Sequence, residues 1–171
     1  RSFTAVRWEN LIAKKVWDDC YEEAGDLADW SVKPDISGYD FDPEMIRIAK
    51  RNARLAGMEK WIRFEERDIA QLSHKERYGF IITNPPYGER LEEKEAMPAL
   101  YKKIGERFGA LDAWSLYMIT SYEEAEKAIG RKADKNRKIY NGMMKTYYYQ
   151  FMGPKPPKAD RGKADGLEQR N

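Results

Sequence analysis

The sequence predicts an α/β fold built on a mostly parallel sheet. Short runs of β-forming residues alternate with longer amphipathic patterns over residues 36–130, as in the strand–helix units of a parallel sheet. Two of these runs lead directly into polar, proline-containing segments, at Asp42 and at Asn84. The dipeptide Asn141-Gly142 lies between two further β-forming runs and predicts a hairpin, so antiparallel strands should close the sheet.

Composition indicates a globular domain with a packed core. The chain has 171 residues, 42% of them hydrophobic, and no apolar run approaches the roughly 20 residues that cross a membrane. The single cysteine, Cys20, cannot form an internal disulfide, and no Cys/His cluster is spaced to hold zinc. No secretory segment is visible at the start. We therefore expect a cytoplasmic protein without a metal.

The N-terminal half is predicted to hold two helices and two strands. Apolar spacing predicts a helix over residues 5–24 and a strand over residues 36–41. The tripeptide Asp42-Pro43-Glu44 predicts a helix start, because Asp caps helices and Pro suits the first helical position. Gly57 should end this helix, and residues 61–65 should form the second strand. The helix face that we expect to be buried consists of Met45, Ile48, Ala49, Ala53 and Ala56.

The C-terminal half is predicted to continue the alternation. Residues 79–83 predict a third, buried strand, and residues 92–108 a helix. The polar composition after residue 152 predicts a domain over residues 1–152 and a flexible basic tail over residues 153–171. The apolar stripe of the predicted helix consists of Met97, Leu100, Tyr101, Ile104 and Phe108. The remaining elements expected are a strand at 114–120, a short helix at 122–130 and strands at 138–140 and 146–152.

The segment Asn84-Pro85-Pro86-Tyr87 follows the third predicted strand, where open α/β sheets bind ligands. Two prolines remove two backbone N–H donors, and a residue before proline is held extended. The Asn84 side-chain oxygen and the Pro85 carbonyl can then accept both hydrogens of an exocyclic base amine, which leaves its nitrogen free to attack an electrophilic methyl. Tyr87 offers a flat face to an extruded base. The alternative interpretation is a plain turn between strand and helix.

A cluster of cations lies near the C-terminal end. The net charge is only +2, so the overall balance does not indicate a nucleic-acid binder. The cluster contains a single acid, Asp134, and it fits either phosphate contacts or a solvated loop. Its members are Arg131, Lys132, Lys135, Arg137 and Lys138.

Taken together, several motifs resemble a known enzyme family. Residues 81–91, Ile-Ile-Thr-Asn-Pro-Pro-Tyr-Gly-Glu-Arg-Leu, are similar to motif IV of the class I amino-methyltransferases that use S-adenosylmethionine. The full string resembles the ribosomal large-subunit RNA guanine-N2 methyltransferases with a THUMP domain, which are often labelled N6-adenine-specific DNA methylases. Residues 38–43, 67–69 and 140–149 resemble the family's second motif, third motif and closing hairpin. The resemblance implies a Rossmann-like class I methyltransferase fold over residues 1–152.

The resemblance also implies roles for single residues. Asp40 would accept the ribose hydroxyls of S-adenosylmethionine, which suits a carboxylate because it accepts two hydrogen bonds, and Phe41 would pack on adenine. Asp68 would accept the adenine amino group, with Ile69 beside the ring; alternatively, Asp40 caps a helix and Asp68 shapes a turn. The implied catalytic residues are Asn84, which also borders the cofactor, Pro85, Pro86 and Tyr87. Residues that could contact the target nucleotide are Gly88, Glu89, Arg90, Lys135, Arg137 and Lys138.

One feature of the family has no counterpart here. The family carries a glycine-rich loop after its first strand, whereas Gly25 and Gly38 of this chain are isolated. The segment Arg1-Ser2-Phe3 resembles a stretch that lies beyond this loop. We therefore expect the first strand and the glycine loop to be missing from this chain. They would belong to an upstream segment, which should also carry a THUMP RNA-binding domain.

Three functions remain open at the level of sequence. Guanine N2 in large-subunit ribosomal RNA is favoured through the resemblance. Adenine N6 in DNA or RNA is the alternative within the class, because both bases present an exocyclic amine to the same pair of acceptors. An inactive RNA-binding or scaffold fragment is the alternative from another class. The missing glycine loop supports that alternative, and the intact segment from Asn84 to Tyr87 argues against it.

Overall fold

Strands alternate with helices along most of the chain, as the sequence predicts. The computed structural model describes residues 3–88 and 91–157. Short 3-10 helices lie at Thr4–Arg7 and Ile69–Gln71. The helices are α1 (Lys14–Asp26), α2 (Pro43–Leu55), α3 (Leu91–Gly109) and α4 (Ala125–Ile129). The strands are β1 (Ile36–Asp40), β2 (Ile62–Glu66), β3 (Phe80–Thr83), β4 (Ser115–Thr120), β5 (Lys135–Asn141) and β6 (Met144–Phe151). No helix in these described ranges is long and apolar enough to span a membrane.

The strands form two ladders. β1 pairs with β2, and the other four strands form a sheet in the order β3-β4-β6-β5. β3 and β4 are parallel, whereas β6 runs antiparallel to both β4 and β5. The carboxyl ends of β3 and β4 therefore share one edge of this sheet with the amino end of β6 and the hairpin between β5 and β6. We call this the carboxyl edge.

The core of the four-stranded sheet lies under α3 and α4. The predicted stripe of α3 is confirmed, with Tyr101 fully buried and Leu100 half-buried at its margin. From the sheet, Leu116, Met118 and Phe151 meet this stripe. Burying such large apolar side chains provides most of the stabilisation of this layer.

Contact density divides the chain into two compact units. The first comprises Arg1–Gly38 and Ile48–Phe64, and it contains α1 and an apolar cavity of about 230 Å3 beside Trp30 and Trp61. The rings of these two tryptophans lie 6.3 Å apart. The second comprises Tyr39–Arg47 and Glu65–Asn171, and it contains the four-stranded sheet and every described residue predicted for the site.

The first helix begins later than predicted. Residues 4–7 form a separate 3-10 turn, and the Leu11 and Ile12 N–H groups both donate to the Trp8 carbonyl before α1 starts at Lys14. The predicted helix over residues 5–24 therefore joined two segments. Helix-stabilising ion pairs four residues apart begin only at Lys14, which bonds Asp18 at 2.5 Å.

The buried face of α2 also differs from the prediction. Ile46 and Ala53 are buried, whereas Met45 and Ile48 are 43% and 39% exposed. Ile46 and Ala53 are seven residues apart, close to two helical turns, so they share a face. The prediction of Ala53 is confirmed and Ala49 is half-buried, whereas Met45, Ile48 and Ala56 were wrongly included and Ile46 was missed. The predicted helix end is confirmed, since Gly57 adopts a left-handed φ of +70°.

The sequence predicted a buried third strand, but only one face of this strand is buried. Phe80 and Ile82 are 64% and 82% exposed, whereas Ile81 between them packs against the core. Successive strand side chains point to opposite faces, so only one face of β3 meets the layer of α3 and α4. The apolar run correctly predicted a strand but overestimated its burial.

The C-terminal hairpin forms with its turn one residue later than expected. Asn141 pairs with Met144, which leaves Gly142 and Met143 as the two turn residues. Gly142 has a φ of +61°, as primed hairpin turns require at their first central position. β5 starts at Lys135, three residues earlier than predicted, so three of the clustered cations lie on a strand and not in a loop.

The expected tail begins with a packed residue. The Gly153 N–H donates to Ser115 Oγ at 2.9 Å, and a Cβ on Gly153 would lie 2.4 Å from the Trp114 carbonyl oxygen. This contact leaves space only for glycine and fixes the chain at the end of β6. Residues 158–171 of the predicted tail lie outside the described residues.

The close approach of α3 and α4 leads to a stability prediction. A Cβ on Gly105 would lie 2.4 Å from the Ile129 carbonyl oxygen and 2.7 Å from its Cα, both backbone atoms that cannot move away easily. We expect Gly105→Ala to lower the free energy of unfolding by about 1–3 kcal/mol in denaturant titrations. Gly109→Ala is the matched control on the same helix, because a Cβ there meets nothing within 4 Å. Equal stability of the two variants would contradict this packing.

Candidate active site

The loop from Asn84 to Gly88 follows β3 directly and lies at the carboxyl edge. Pro85 is buried and Tyr87 half-buried, whereas Asn84 is exposed. No hydrogen bond within the described part of the chain uses the Asn84 side chain. Its amide oxygen is thus available to an incoming donor, and its predicted role as an acceptor for a base amine stays a prediction.

Gly88 closes this loop for a steric reason. Its φ is +71°, and a Cβ there would lie 2.2 Å from Met97 Sδ on α3. A larger residue would push the loop away from α3. Gly88 therefore allows the backbone of the loop to pass close to α3. Any contact of Gly88 with a target nucleotide stays a prediction.

Side chains from α3 and the end of β4 hold the carbonyl groups of the loop. The Tyr101 hydroxyl donates to the Pro86 carbonyl at 3.4 Å, and Ser121 Oγ donates to the Tyr87 carbonyl at 3.4 Å. The Tyr101 hydroxyl also hydrogen-bonds Thr120 Oγ1. The sequence predicts Tyr101 only as a core residue; the one sign of this second role is its hydroxyl group within an otherwise apolar stripe.

Asp40 ends β1 and is half-buried. Its Oδ1 accepts the Asp42 N–H at 2.9 Å, while Asp42 Oδ1 accepts the Glu44 N–H at 2.8 Å. Asp42 therefore caps α2, as the sequence predicts. Asp40 shapes the turn before α2 through one oxygen, and no hydrogen bond among the described residues uses its other oxygen. That second oxygen can accept a hydrogen bond from a ligand.

Phe41, Asp68 and Ile69 lie on neighbouring segments of the same unit. The Phe41 side chain is 74% exposed, which is unusual for a large aromatic residue. Asp68 Oδ1 accepts the Ala70 N–H at 2.7 Å and caps the 3-10 helix that follows, so the turn role weighed from the sequence is real. Ile69 packs at the margin of the core.

The structure links these segments through backbone contacts. The Arg67 N–H donates to the Asp40 carbonyl at 2.8 Å and joins the ends of β1 and β2. The 3-10 helix after Asp68 packs against α3, the helix that carries Tyr101. The ends of three strands thus supply the polar groups: Asp40 is the last residue of β1, Asp68 follows β2 and Asn84 follows β3. Within the described residues, no group of three or more His, Cys, Asp or Glu side chains is arranged to hold a metal ion.

The basic cluster divides into two parts. Arg131 bonds Asp134 at 2.9 Å and the Met152 carbonyl at 2.8 Å, so it supports the fold. A hydrogen bond from the Met152 N–H, together with the nearby Arg131 charge, lowers the pKa of Asp134. The cations of β5 are exposed and make no ion pair within the described residues; they are Lys135, Arg137 and Lys138.

The hairpin tip carries exposed aromatic and apolar side chains beside these cations. Lys138 Nζ lies 5.2 Å from the centre of the Tyr140 ring, and Lys145 Nζ lies 5.1 Å from that of Tyr147. Tyr140 is 61% exposed and Met143 99% exposed. Cations interleaved with exposed aromatic rings suit single-stranded nucleic acid. The predicted contact residues Glu89 and Arg90 lie outside the described residues.

Comparisons with known proteins agree with the resemblance. Residues 4–150 match the family model described as UPF0020: RMKL-like, methyltransferase domain. YpsC of Bacillus subtilis (strain 168), whose name as an RNA methyltransferase is provisional, is 42% identical over 151 residues, which are 88% of this chain and 39% of YpsC. The ribosomal RNA large subunit methyltransferase K/L of Syntrophotalea carbinolica is 37% identical over 144 residues, which are 80% of this chain and 20% of that protein.

Solved structures show the same similarity. The structure of SMU.472 in complex with SAH superposes with a TM-score of 0.78 at 38% identity and covers 92% of this chain and 41% of that chain. The chain thus spans between 20% and 41% of the length of these three proteins. Its strand order and hairpin agree with the fold that the resemblance implies. The chain belongs to the UPF0020 family of RMKL-like methyltransferase domains and has the class I methyltransferase fold.

Proposed function

We propose that this chain is the catalytic part of an S-adenosylmethionine-dependent methyltransferase that modifies an exocyclic amino group of an RNA base. The proposed target is guanine N2 in large-subunit ribosomal RNA. The observation that carries the proposal is the exposed Asn84 side chain at the start of the loop. Later in the same loop, the Pro86 and Tyr87 carbonyls accept hydrogen bonds from side chains. The name of the K/L relative supports a ribosomal RNA target.

The cofactor proposal rests on family membership and on the fit of three residues. SMU.472 was solved with SAH, the product that S-adenosylmethionine leaves after methyl transfer. The uncommitted oxygen of Asp40 can accept a ribose hydroxyl, the exposed Phe41 ring can cover adenine, and Asp68 can accept its amino group through the oxygen that does not cap the 3-10 helix. When bound, S-adenosylmethionine supplies an electrophilic methyl group.

The residues of the chain would act on the amine that receives this methyl. Asn84 Oδ1 and the Pro85 carbonyl would each accept one amine hydrogen, which keeps the nitrogen lone pair directed at the methyl. Tyr87 would stack on the extruded base and fix its plane. Holding both reactants in line supplies most of the acceleration. Alkylation makes the amine acidic, so no strong base is needed to remove its proton.

The rest of the complete protein enters the proposal as well. We propose that the glycine loop for the methionine end of the cofactor, and a THUMP RNA-binding domain, lie in a segment upstream of this chain. Backbone N–H groups of such a loop at a helix start suit a carboxylate. A cytoplasmic location follows from the proposed ribosomal RNA substrate.

The test is methyl transfer by the complete natural protein. Purified protein would receive S-adenosylmethionine with a labelled methyl group, together with either undermethylated ribosomal RNA or genomic DNA. Label in RNA that is recovered as N2-methylguanosine supports the proposal. Label in N6-methyladenine would favour the adenine alternative. Absence of both cofactor binding and methyl transfer would favour an inactive scaffold.

The basic strand gives a prediction about RNA affinity. We expect simultaneous Lys135→Gln, Arg137→Gln and Lys138→Gln changes to weaken RNA binding. They should also reduce the slope of log affinity against log salt by up to about one unit for each phosphate group that these cations neutralise in the wild-type protein. The measurement is RNA binding by the complete protein over a range of salt concentrations.

The control for this prediction removes the same charge elsewhere. Lys14, Lys15 and Lys102 are exposed and each already pairs with an acid on its own helix. Their replacement by glutamine should leave the salt slope almost unchanged. Equal slopes for both triple variants would show that β5 does not contact phosphates.

A further inference from the structure

A chain of hydrogen bonds leads from Tyr122 through Thr120 and Tyr101 to the loop from Asn84 to Gly88. The Tyr122 N–H donates to Thr120 Oγ1 at 3.0 Å, Thr120 Oγ1 hydrogen-bonds the Tyr101 hydroxyl, and that hydroxyl reaches the Pro86 carbonyl at 3.4 Å. We call Tyr101, Thr120 and Ser121 the loop clamp. Tyr101 and Thr120 are both fully buried, so water does not compete for their hydroxyl groups.

The two ends of this chain of hydrogen bonds fix its direction. The Tyr122 N–H can only donate and the Pro86 carbonyl can only accept. The Tyr101 hydroxyl has one proton, which it donates to the Pro86 carbonyl. The Thr120 hydroxyl therefore donates to the Tyr101 oxygen, while Thr120 Oγ1 accepts the Tyr122 N–H. Burial raises the pKa of Tyr101 to about 12, so this proton is retained at any physiological pH. Aligned hydroxyl groups also polarise one another and strengthen each bond.

The loop depends on such outside contacts because of its own sequence. Pro85 and Pro86 have no N–H group, so the loop cannot build a backbone hydrogen-bond network across these positions. Two consecutive carbonyls, of Pro86 and Tyr87, instead receive side-chain donors from α3 and from the residue after β4. Both carbonyls lie within three residues of Asn84, so holding them restricts the backbone of the loop that carries Asn84.

We propose that Tyr101 and Ser121 are positioning residues that hold the loop in the geometry needed for methyl transfer, with Thr120 orienting Tyr101. The inference rests on the proposed function of Asn84. Neither side chain needs to touch the substrate. Removing the clamp should thus lower the rate of the chemical step and leave the binding of cofactor and RNA intact.

The experiment uses single-turnover methyl transfer by the complete natural protein with saturating S-adenosylmethionine and ribosomal RNA. Tyr101→Phe keeps the ring, which packs 4.8 Å from that of Tyr122, and removes only the hydroxyl. We expect the rate to fall about tenfold, with the affinities for cofactor and RNA unchanged within about twofold. Thr120→Val should act in the same direction, and Thr120→Ser, which keeps a hydroxyl, should restore most of the rate.

Tyr149→Phe is the matched control. Tyr149 is 4% exposed in the same core, and its hydroxyl makes no hydrogen bond to the loop in the described residues. The change removes a buried tyrosine hydroxyl without touching the clamp, so the rate should stay at the wild-type value. Equal rates for Tyr101→Phe and wild type would overturn the inference, as would an equal fall in Tyr101→Phe and Tyr149→Phe.

The outcome separates this inference from the proposed function. If wild-type protein transfers methyl groups and Asn84→Ala does not, the proposed function stands whatever the clamp variants do. Under those conditions, a wild-type rate for either Tyr101→Phe or Ser121→Ala would overturn the clamp alone. Absence of transfer by the wild-type protein, with folded protein and bound RNA, would overturn the proposed function and the clamp together.

Discussion

Replacing Asn84 by alanine is expected to lower methyl transfer about a hundredfold or more, which corresponds to roughly 3 kcal/mol of lost transition-state stabilisation. The side chain is exposed at the start of the loop and has no structural hydrogen bond in the described residues. Its amide oxygen is therefore free to accept an amine hydrogen in the transition state. The affinity for S-adenosylmethionine should stay nearly unchanged, because in the proposed mechanism Asn84 only borders the cofactor.

Single-turnover kinetics and calorimetric titration of the complete protein test this pair of expectations. Asn52→Ala is a suitable control, since Asn52 is an exposed asparagine on α2 and belongs to the other compact unit. Near-wild-type turnover of Asn84→Ala would exclude the mechanism. A loss of cofactor affinity as large as the loss of rate would instead make Asn84 a binding residue.

Replacing Asp40 by alanine is expected to weaken S-adenosylmethionine binding by about tenfold or more, because a hydrogen bond to a charged group contributes about 1.5–3 kcal/mol. The structure gives this carboxylate two possible functions. One oxygen accepts the Asp42 N–H at 2.9 Å and shapes the turn, while the other is available for a ribose hydroxyl. Calorimetric titration with the cofactor measures the effect.

Asp40→Asn separates the two functions. Asparagine keeps one oxygen for the Asp42 N–H but replaces the other by an amide donor, so the turn survives and the acceptor is lost. We expect Asp40→Asn to bind the cofactor as weakly as Asp40→Ala. Wild-type affinity of Asp40→Asn, with reduced affinity of Asp40→Ala, would mean that Asp40 acts only through the turn.

Local chemistry explains what the sequence predicted correctly. The cap at Asp42 and the stop at Gly57 depend on backbone preferences of single residues, so they can be recognised without tertiary structure. The stripe of α3 was found because its buried residues recur at helical spacing. The loop at Asn84 was located because it directly follows an apolar run.

Tertiary contacts explain what the sequence missed. Phe80 and Ile82 lie on the open face of β3, and the alternating burial of this strand depends on which layers cover it. The contact of Tyr101 with Thr120 joins residues 19 positions apart, and it depends on how α3 packs over β4. The cations near Lys135 belong to a strand because β5 pairs with β6, a long-range choice that charge spacing does not reveal.

Nucleoside mass spectrometry of large-subunit ribosomal RNA, from a strain that lacks the gene and from the same strain with the gene restored, tests the central claim most directly. We predict that one N2-methylguanosine is lost in the deletion strain, returns with the wild-type gene and does not return with the Asn84→Ala gene. Loss of N6-methyladenine from DNA, with ribosomal N2-methylguanosine intact, would contradict the claim.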